Sequence, residues 1–240
     1  MEITSPFRIY SCGDQAITIE LGSGISHEVS AKVQSLFHHF QRQNIGGIRD
    51  IIPSYHTLTI VYDSASISAS ATISAYEHMQ NLLMKQVNEC RIDEAVSRKI
   101  EIPVCYDFSF GLDIELIAKQ HGITADEVIS VHTAKTYRVY LIGFLPGFSY
   151  MGSVDARIAT PRKNSPRTTV AAGSVGIAGE QTGIYPFDSP GGWQVIGRTP
   201  LQMFNANREQ PSLLQPGDEV SFYSISKDEF NSLFHEHSRK

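Results

Sequence analysis

Cysteine is scarce in this chain: Cys12, Cys90 and Cys105 are the only three in 240 residues. They are odd in number, widely spaced and include no CxxC pair, which excludes a disulfide framework and a zinc–thiolate centre. They read as free thiols in a reducing compartment. A second absence is any run of 18 apolar residues, so no segment is expected to span a bilayer. The opening residues Met1 to Pro6 lack the apolar stretch of a secretory signal. Together these features lead to the expectation of a cytoplasmic protein with no membrane partner. Basic charge is also in short supply. Lys+Arg number 20 against 25 Asp+Glu, a formal net charge of −5, which argues against a general nucleic-acid binder. No G-x-x-x-x-G-K-[ST] is present, so the chain has no P-loop of its own.

What is present is enough apolar material for a core: 41% hydrophobic against 19% charged residues. Phe7–Cys12 and Ala16–Leu21 alternate with period two around a Gly13-Asp14 turn and read as strands. Val29, Val33, Leu36, Phe37 and Phe40 recur at helical spacing before Gly46-Gly47 ends the pattern. Two further strands, Ile48–Tyr55 and Thr57–Tyr62, lead through the Ser/Ala-rich stretch 64–75 into a second helix. The order β-β-α-β-β-α implies a sheet with helices on one face, an α+β domain over residues 1–90. The charged stretch 89–94 marks the boundary.

The second part, 98–240, opens with a strand at Ile100–Cys105. Asp113 is placed to cap a helix over Ile114–His121 that ends at Gly122. Thr124 and Glu127 form a capping box for a helix reaching His132. Beyond Tyr137 the chain shows short β-like runs at 137–142, 168–172, 193–197 and 219–223, separated by Gly and Pro. That pattern suits a closed or nearly closed β-barrel with one or two helices attached.

Gly143 to Pro200 is the unusual quarter. Its 58 residues hold 10 of the 18 Gly and 6 of the 11 Pro, where an even spread would place about four and about three. Five basic against three acidic residues leave it at +2, so the remainder carries −7. Pro146-Gly147 is a type II turn signal that would present Phe148 and Tyr150 as a fixed wall. Arg162 and Arg167, each preceded by Pro, form either an anion clamp or a solvated basic loop. The absence of acidic neighbours within the loop favours the clamp. Ala172-Gly173-Ser174-Val175-Gly176 superficially suggests a nucleophile elbow, but no helix can follow and no His lies between 143 and 200. Trp193, the only tryptophan, follows a loop rich in Pro and Gly. His38, His39, His235 and His237 have no companions at ligand spacing, so no metal site is expected.

The stretches Gly143–Gly152, Pro161-Arg162, Pro166-Arg167, Val170–Gly176, Gln181–Pro186 and Ser189–Pro200 strongly resemble the 5-oxoprolinase B-subunit family, also described as allophanate hydrolase subunit 1. The resemblance covers the whole chain. It implies a ferredoxin-like N-terminal domain followed by a cyclophilin-like β-barrel. It implies a protein that is inactive alone and works with the 5-oxoprolinase A and C subunits. The complex opens the lactam of 5-oxoproline to L-glutamate with ATP as cosubstrate. One branch of the family is also implied to inhibit autophosphorylation of a sporulation histidine kinase, antagonised by the homologue of the C subunit. A purely regulatory kinase-binding module is therefore the competing reading. Family members often carry a Gly-Gly-Glu type loop after the first barrel strand, where this chain has Asp107–Asp113.

A lactam is a poor electrophile, and phosphorylation of its oxygen would ease C–N cleavage. Such a step needs cations for the developing charge and a clamp for the substrate carboxylate. Expected in catalytic roles are Arg162, Arg167 and His132, the last as an acid or base. Phe148, Tyr150, Gly173, Gln181, Trp193 and Arg198 are expected to bind substrate, with Arg198 adding charge.

Overall fold

The computed structural model describes residues 7–67, 73–90 and 97–237. Parts of two sequence-level expectations, the Ser/Ala-rich entry to the second helix and the charged boundary, lie outside the described residues. So do the opening six residues. The chain divides into two compact units, 1–96 and 97–240. Among the described residues no helix is long and apolar enough to cross a membrane.

The first unit follows the order β1 (Arg8–Ser11), β2 (Ala16–Glu20), α1 (His27–Gln43), β3 (Ile48–Pro53), β4 (Thr57–Tyr62) and α2 (Ala75–Glu89). Its antiparallel sheet runs β1-β2-β4-β3. Register pairs Ile17 with Ile60 and Ile19 with Leu58, so these four share one face. Val33, Leu36 and Phe40 of α1 and Met79, Leu83 and Val87 of α2 join them in one core, which puts both helices on that face. Each helix starts on a serine whose hydroxyl accepts a backbone amide, Ser26 for α1 and Ser74 for α2. A ferredoxin-like domain runs β-α-β-β-α-β. Here the strand at the sheet edge comes first in the chain rather than last.

The second unit continues with β5 (Lys99–Val104), α3 (Ile114–His121), α4 (Ala125–Thr133), β6 (Thr136–Ile142), β7 (Ser149–Gly152), β8 (Arg167–Val170), β9 (Ser174–Ala178), β10 (Gln181–Ile184), β11 (Ser189–Gly191), β12 (Gln194–Arg198), β13 (Glu219–Ser224) and α5 (Lys227–His237). Seven strands form one sheet, β12-β9-β10-β7-β6-β13-β5, and β11 pairs with β8 separately. Among the described residues only β5 and β13 pair in parallel. Cys105, just after β5, exchanges both backbone hydrogen bonds with Arg198 at the end of β12, at 2.9 and 3.0 Å. The two edges of the sheet thus meet at one point, which curls it into a half-barrel form consistent with a cyclophilin-like barrel. Ile102, Val139, Met151, Val175, Ile196 and Val220 fill its interior together with Ile114 and Ile117 of α3 and Val128 of α4.

Candidate functional site

The β6–β7 hairpin builds the first wall of the site. The Phe148 amide donates to the Leu145 carbonyl at 3.0 Å, and Gly147 has φ +82°, the geometry of a type II turn at Pro146-Gly147. The turn delivers Phe148 into an aromatic cluster. Its ring lies 5.1 Å from Tyr185 and 5.4 Å from Trp193, both edge-on, and 4.7 Å from Tyr150. Edge-to-face pairs of this kind fix ring positions beyond what area burial alone achieves. Gly183 of β10 makes room for them: a β-carbon there would lie 3.0 Å from the Trp193 ring and 3.2 Å from that of Phe148.

Over this cluster opens a cavity of about 280 Å³ lined by Phe144, Phe148, Tyr150, Tyr185 and Trp193, by Pro166 and Pro190–Gly192, and by Arg162. The Arg162 guanidinium sits over the Trp193 ring, 5.6 Å from its centre. A cation on an indole face is worth about 0.5–2 kcal/mol and leaves the outward N–H groups open to an anion. Among the described residues Arg162 makes no ion pair, and it is the one charged residue in the lining. Burial raises the Tyr150 hydroxyl above its ordinary pKa, with the Arg162 charge acting the other way. Tyr150 is therefore a neutral donor.

The loop carrying Arg162 is pinned from both sides. Gln194 Nε2 donates to the Pro161 carbonyl at 2.8 Å, and the Lys163 amide donates to the Gly192 carbonyl at 2.7 Å. Asp113 then gathers the flanking cations. Its Oδ1 accepts from Lys163 Nζ at 3.0 Å and from Arg167 Nη2 at 2.7 Å, and its Oδ2 accepts from the Val195 amide at 2.7 Å. Burial pushes the Asp113 carboxyl up, but hydrogen bonds from Arg167, the Val195 amide and Lys163 outweigh it and hold it below the ordinary value. The capping role expected of Asp113 is not the one observed. α3 begins where expected, but the carboxylate makes no cap hydrogen bond, because the two cations and the β12 edge occupy it.

The expected site residues thus separate. Arg162, Phe148, Tyr150 and Trp193 come together at one cavity. Arg167 is the partner of Asp113 rather than a cavity cation. Arg198 is turned away as well: its Nε donates to the Ala172 carbonyl at 2.8 Å, and its guanidinium lies 5.7–5.8 Å from the ring centres of Phe110, Phe230 and Phe234. It lies beside α5, outside the Arg162 cavity. Gly173 (φ +82°) abuts the Thr199 carbonyl and lines a separate cavity of about 260 Å³ with Phe187, Phe204 and Phe234. Gln181 opens β10 opposite Gly152 and Ala178 and lines neither cavity.

His132 lies apart from the cavity. It is fully buried, stacks on Phe222 at 4.6 Å, and has Tyr106 Oη 2.8 Å from Nδ1 and Thr182 Oγ1 3.1 Å from Nε2. Thr182 donates onward to the Gly176 carbonyl, so its oxygen accepts from Nε2–H, and Nδ1 accepts the Tyr106 proton. Burial lowers its pKa to about 3. In this structure it sits in the core as a neutral residue, away from the cavity. Ser174 lies in a strand with no helix after it, so the elbow is absent. Among the described residues no three His, Cys, Asp or Glu gather as a metal site. Reading the sequence took Asp113 for a helix cap only and gave Lys163 and Tyr185 no place in the site. The only signal for the first was its place in the loop that departs from the Gly-Gly-Glu pattern.

Residues 7–214 match the family model described as carboxyltransferase domain, subdomain C and D. The chain is 40% identical over 96% of its length to the 5-oxoprolinase B subunit of Bacillus subtilis, covering 98% of that protein. It therefore belongs to the 5-oxoprolinase B-subunit family. The crystal structure of TTHA0988 superposes with a TM-score of 0.78 at 33% identity, over 88% of this chain and 40% of that one. The Kluyveromyces lactis urea amidolyase shares the fold with a TM-score of 0.80 at 21% identity, over 99% of this chain and 16% of its own.

Proposed function

We propose that this chain is the B subunit of an ATP-dependent 5-oxoprolinase and that the Arg162 cavity holds the carboxylate of 5-oxoproline. The observation that carries this reading is the lining itself: one unpaired guanidinium set on an aromatic floor. The 5-oxoproline anion offers a carboxylate for Arg162 and a small ring for the faces of Phe148, Tyr150 and Trp193. The lining offers no carboxylate, histidine or nucleophilic serine or cysteine. Such a site binds and orients; the chemistry requires groups from elsewhere, which supports a protein inactive alone that works with the A and C subunits. A magnesium triphosphate needs several cations and carboxylates around it. Neither the aromatic cavity, nor the Gly173 cavity, nor a third of about 370 Å³ lined by Arg162 and Lys163 without a carboxylate gathers such a set, so we assign ATP to the assembled complex.

In the complex reconstituted with both partner proteins, Arg162→Ala should raise the KM for 5-oxoproline about tenfold to a hundredfold, the loss of a charge-assisted hydrogen bond. The KM for ATP should stay unchanged. An unaltered KM for 5-oxoproline would defeat the reading. The kinase-inhibitory role rests on the sequence resemblance, and autophosphorylation of a sporulation histidine kinase assayed with the same preparations addresses it. Inhibition by the chain, without any 5-oxoproline-dependent ATP hydrolysis in the complex, would favour the regulatory module instead.

A further inference from the structure

Arg162 itself is held by no ion pair among the described residues, yet the backbone on either side of it is fixed. Besides the hydrogen bonds from Gln194 to the Pro161 carbonyl and from the Lys163 amide to Gly192, side-chain contacts one layer down hold this loop. Asp113 is 3% exposed and accepts from both Lys163, the residue after Arg162, and Arg167 at the far end of the same Pro-flanked loop. Its other oxygen and its own amide are tied to Val195 of β12, two residues beyond Trp193: Val195 N to Oδ2 at 2.7 Å, and Asp113 N to the Val195 carbonyl at 2.8 Å. One buried carboxylate therefore joins the loop that carries the cation to the strand that follows the indole. Arg167 Nη1 is buried without a partner, so Asp113 is the group that compensates this guanidinium. Without it, Lys163 and Arg167 would face each other as two half-buried like charges, and the loop would move apart.

We propose that Asp113 is the positioning residue of the site: it sets Arg162 over Trp193 by neutralising Lys163 and Arg167. This rests on the reading of the Arg162 cavity as the substrate site for its meaning in catalysis, but not for its geometry. The lone Trp193 reports the geometry with no ligand present. Arg162→Ala removes the cation from the indole face and should change the intensity and maximum of Trp193 emission. Asp113→Asn keeps an acceptor of the same shape for the Val195 amide but loses the charge, and should change the emission in the same direction. In the Arg162→Ala background, Asp113→Asn should then add nothing, because its effect passes through Arg162. Lys163→Met, at a 25% exposed side chain, removes one arm only and gives a smaller change in the same direction, should the Asp113 variant fail to fold. In the reconstituted complex Asp113→Asn should raise the KM for 5-oxoproline about tenfold with kcat changed less. Equal emission changes from Asp113→Asn, or from Lys163→Met, with and without Arg162 would overturn the proposal. The KM of the Arg162→Ala variant judges the substrate-site reading separately.

Discussion

Arg162 and His132 looked alike as candidates, and burial separates them. Arg162 is exposed beside the cavity it lines, whereas His132 sits where any charge would be stranded. Its folded pKa of about 3 lies below the ordinary 6.5. As pH falls, the unfolded chain therefore takes up the proton first, and the folded state holds its advantage only above about 6.5. Stability should decline by up to about 1.4 kcal/mol per pH unit between pH 6.5 and 3 from this group. Urea unfolding across that range should show the slope, and His132→Phe should flatten it. A slope that persists in full in the variant would mean that other groups cause it. The sequence could not expose this difference, since a histidine on an apolar helix face reads the same whether it is sealed or open. Arg162 was legible because proline restrains it and no acid stands beside it. Arg167 shares both features, and only the fold could bring Asp113, 54 residues earlier in the chain, against it.

Elements were legible where periodicity or capping chemistry was strong. The capping box at Thr124 and Glu127 forms as read, with α4 following it. The β-β-α-β-β-α order of the first unit also follows directly from alternation and helical spacing. Strands β7, β9, β10 and β11 were not foreseen. Their glycines and short lengths hide the β pattern, and the barrel overrides propensity by burying them: all five residues of β9 are buried. Closure of the sheet depends on close approach at one point. A β-carbon on Gly197 would lie 2.7 Å from Val104 Cγ1 and 3.0 Å from the Cys105 carbonyl. Gly197→Ala should therefore cost about 1–3 kcal/mol by forcing the two edges apart, read as a lower urea midpoint with an unchanged slope. An unchanged midpoint would show that the edges can shift at no cost. α5 docks by a different means, through Phe110 and Phe230 with ring centres 4.6 Å apart and the Arg198 cation beside them.

At the scale of the whole molecule, the net charge of −5 conceals a locally cationic quarter, and the structure shows how that charge is apportioned. Arg157 pairs with Asp155, Lys163 and Arg167 share Asp113, and Arg198 lies among phenylalanines. What is left for a ligand is one guanidinium on an aromatic floor. A single cation on an aromatic floor is what the proposed substrate-binding role in a larger complex requires. The purified chain alone should hydrolyse neither ATP nor 5-oxoproline. Turnover by the chain without partners, seen in a phosphate-release assay, would refute that division of labour.

The central claim, that Arg162 reads a carboxylate on a small lactam, is tested most directly by equilibrium binding followed through Trp193 fluorescence. 5-Oxoproline should perturb the emission saturably, while 2-pyrrolidinone, the same ring without the carboxylate, should not. Arg162→Ala should abolish the response to 5-oxoproline. Equal responses to both lactams, or a variant that binds as the natural chain does, would contradict the account.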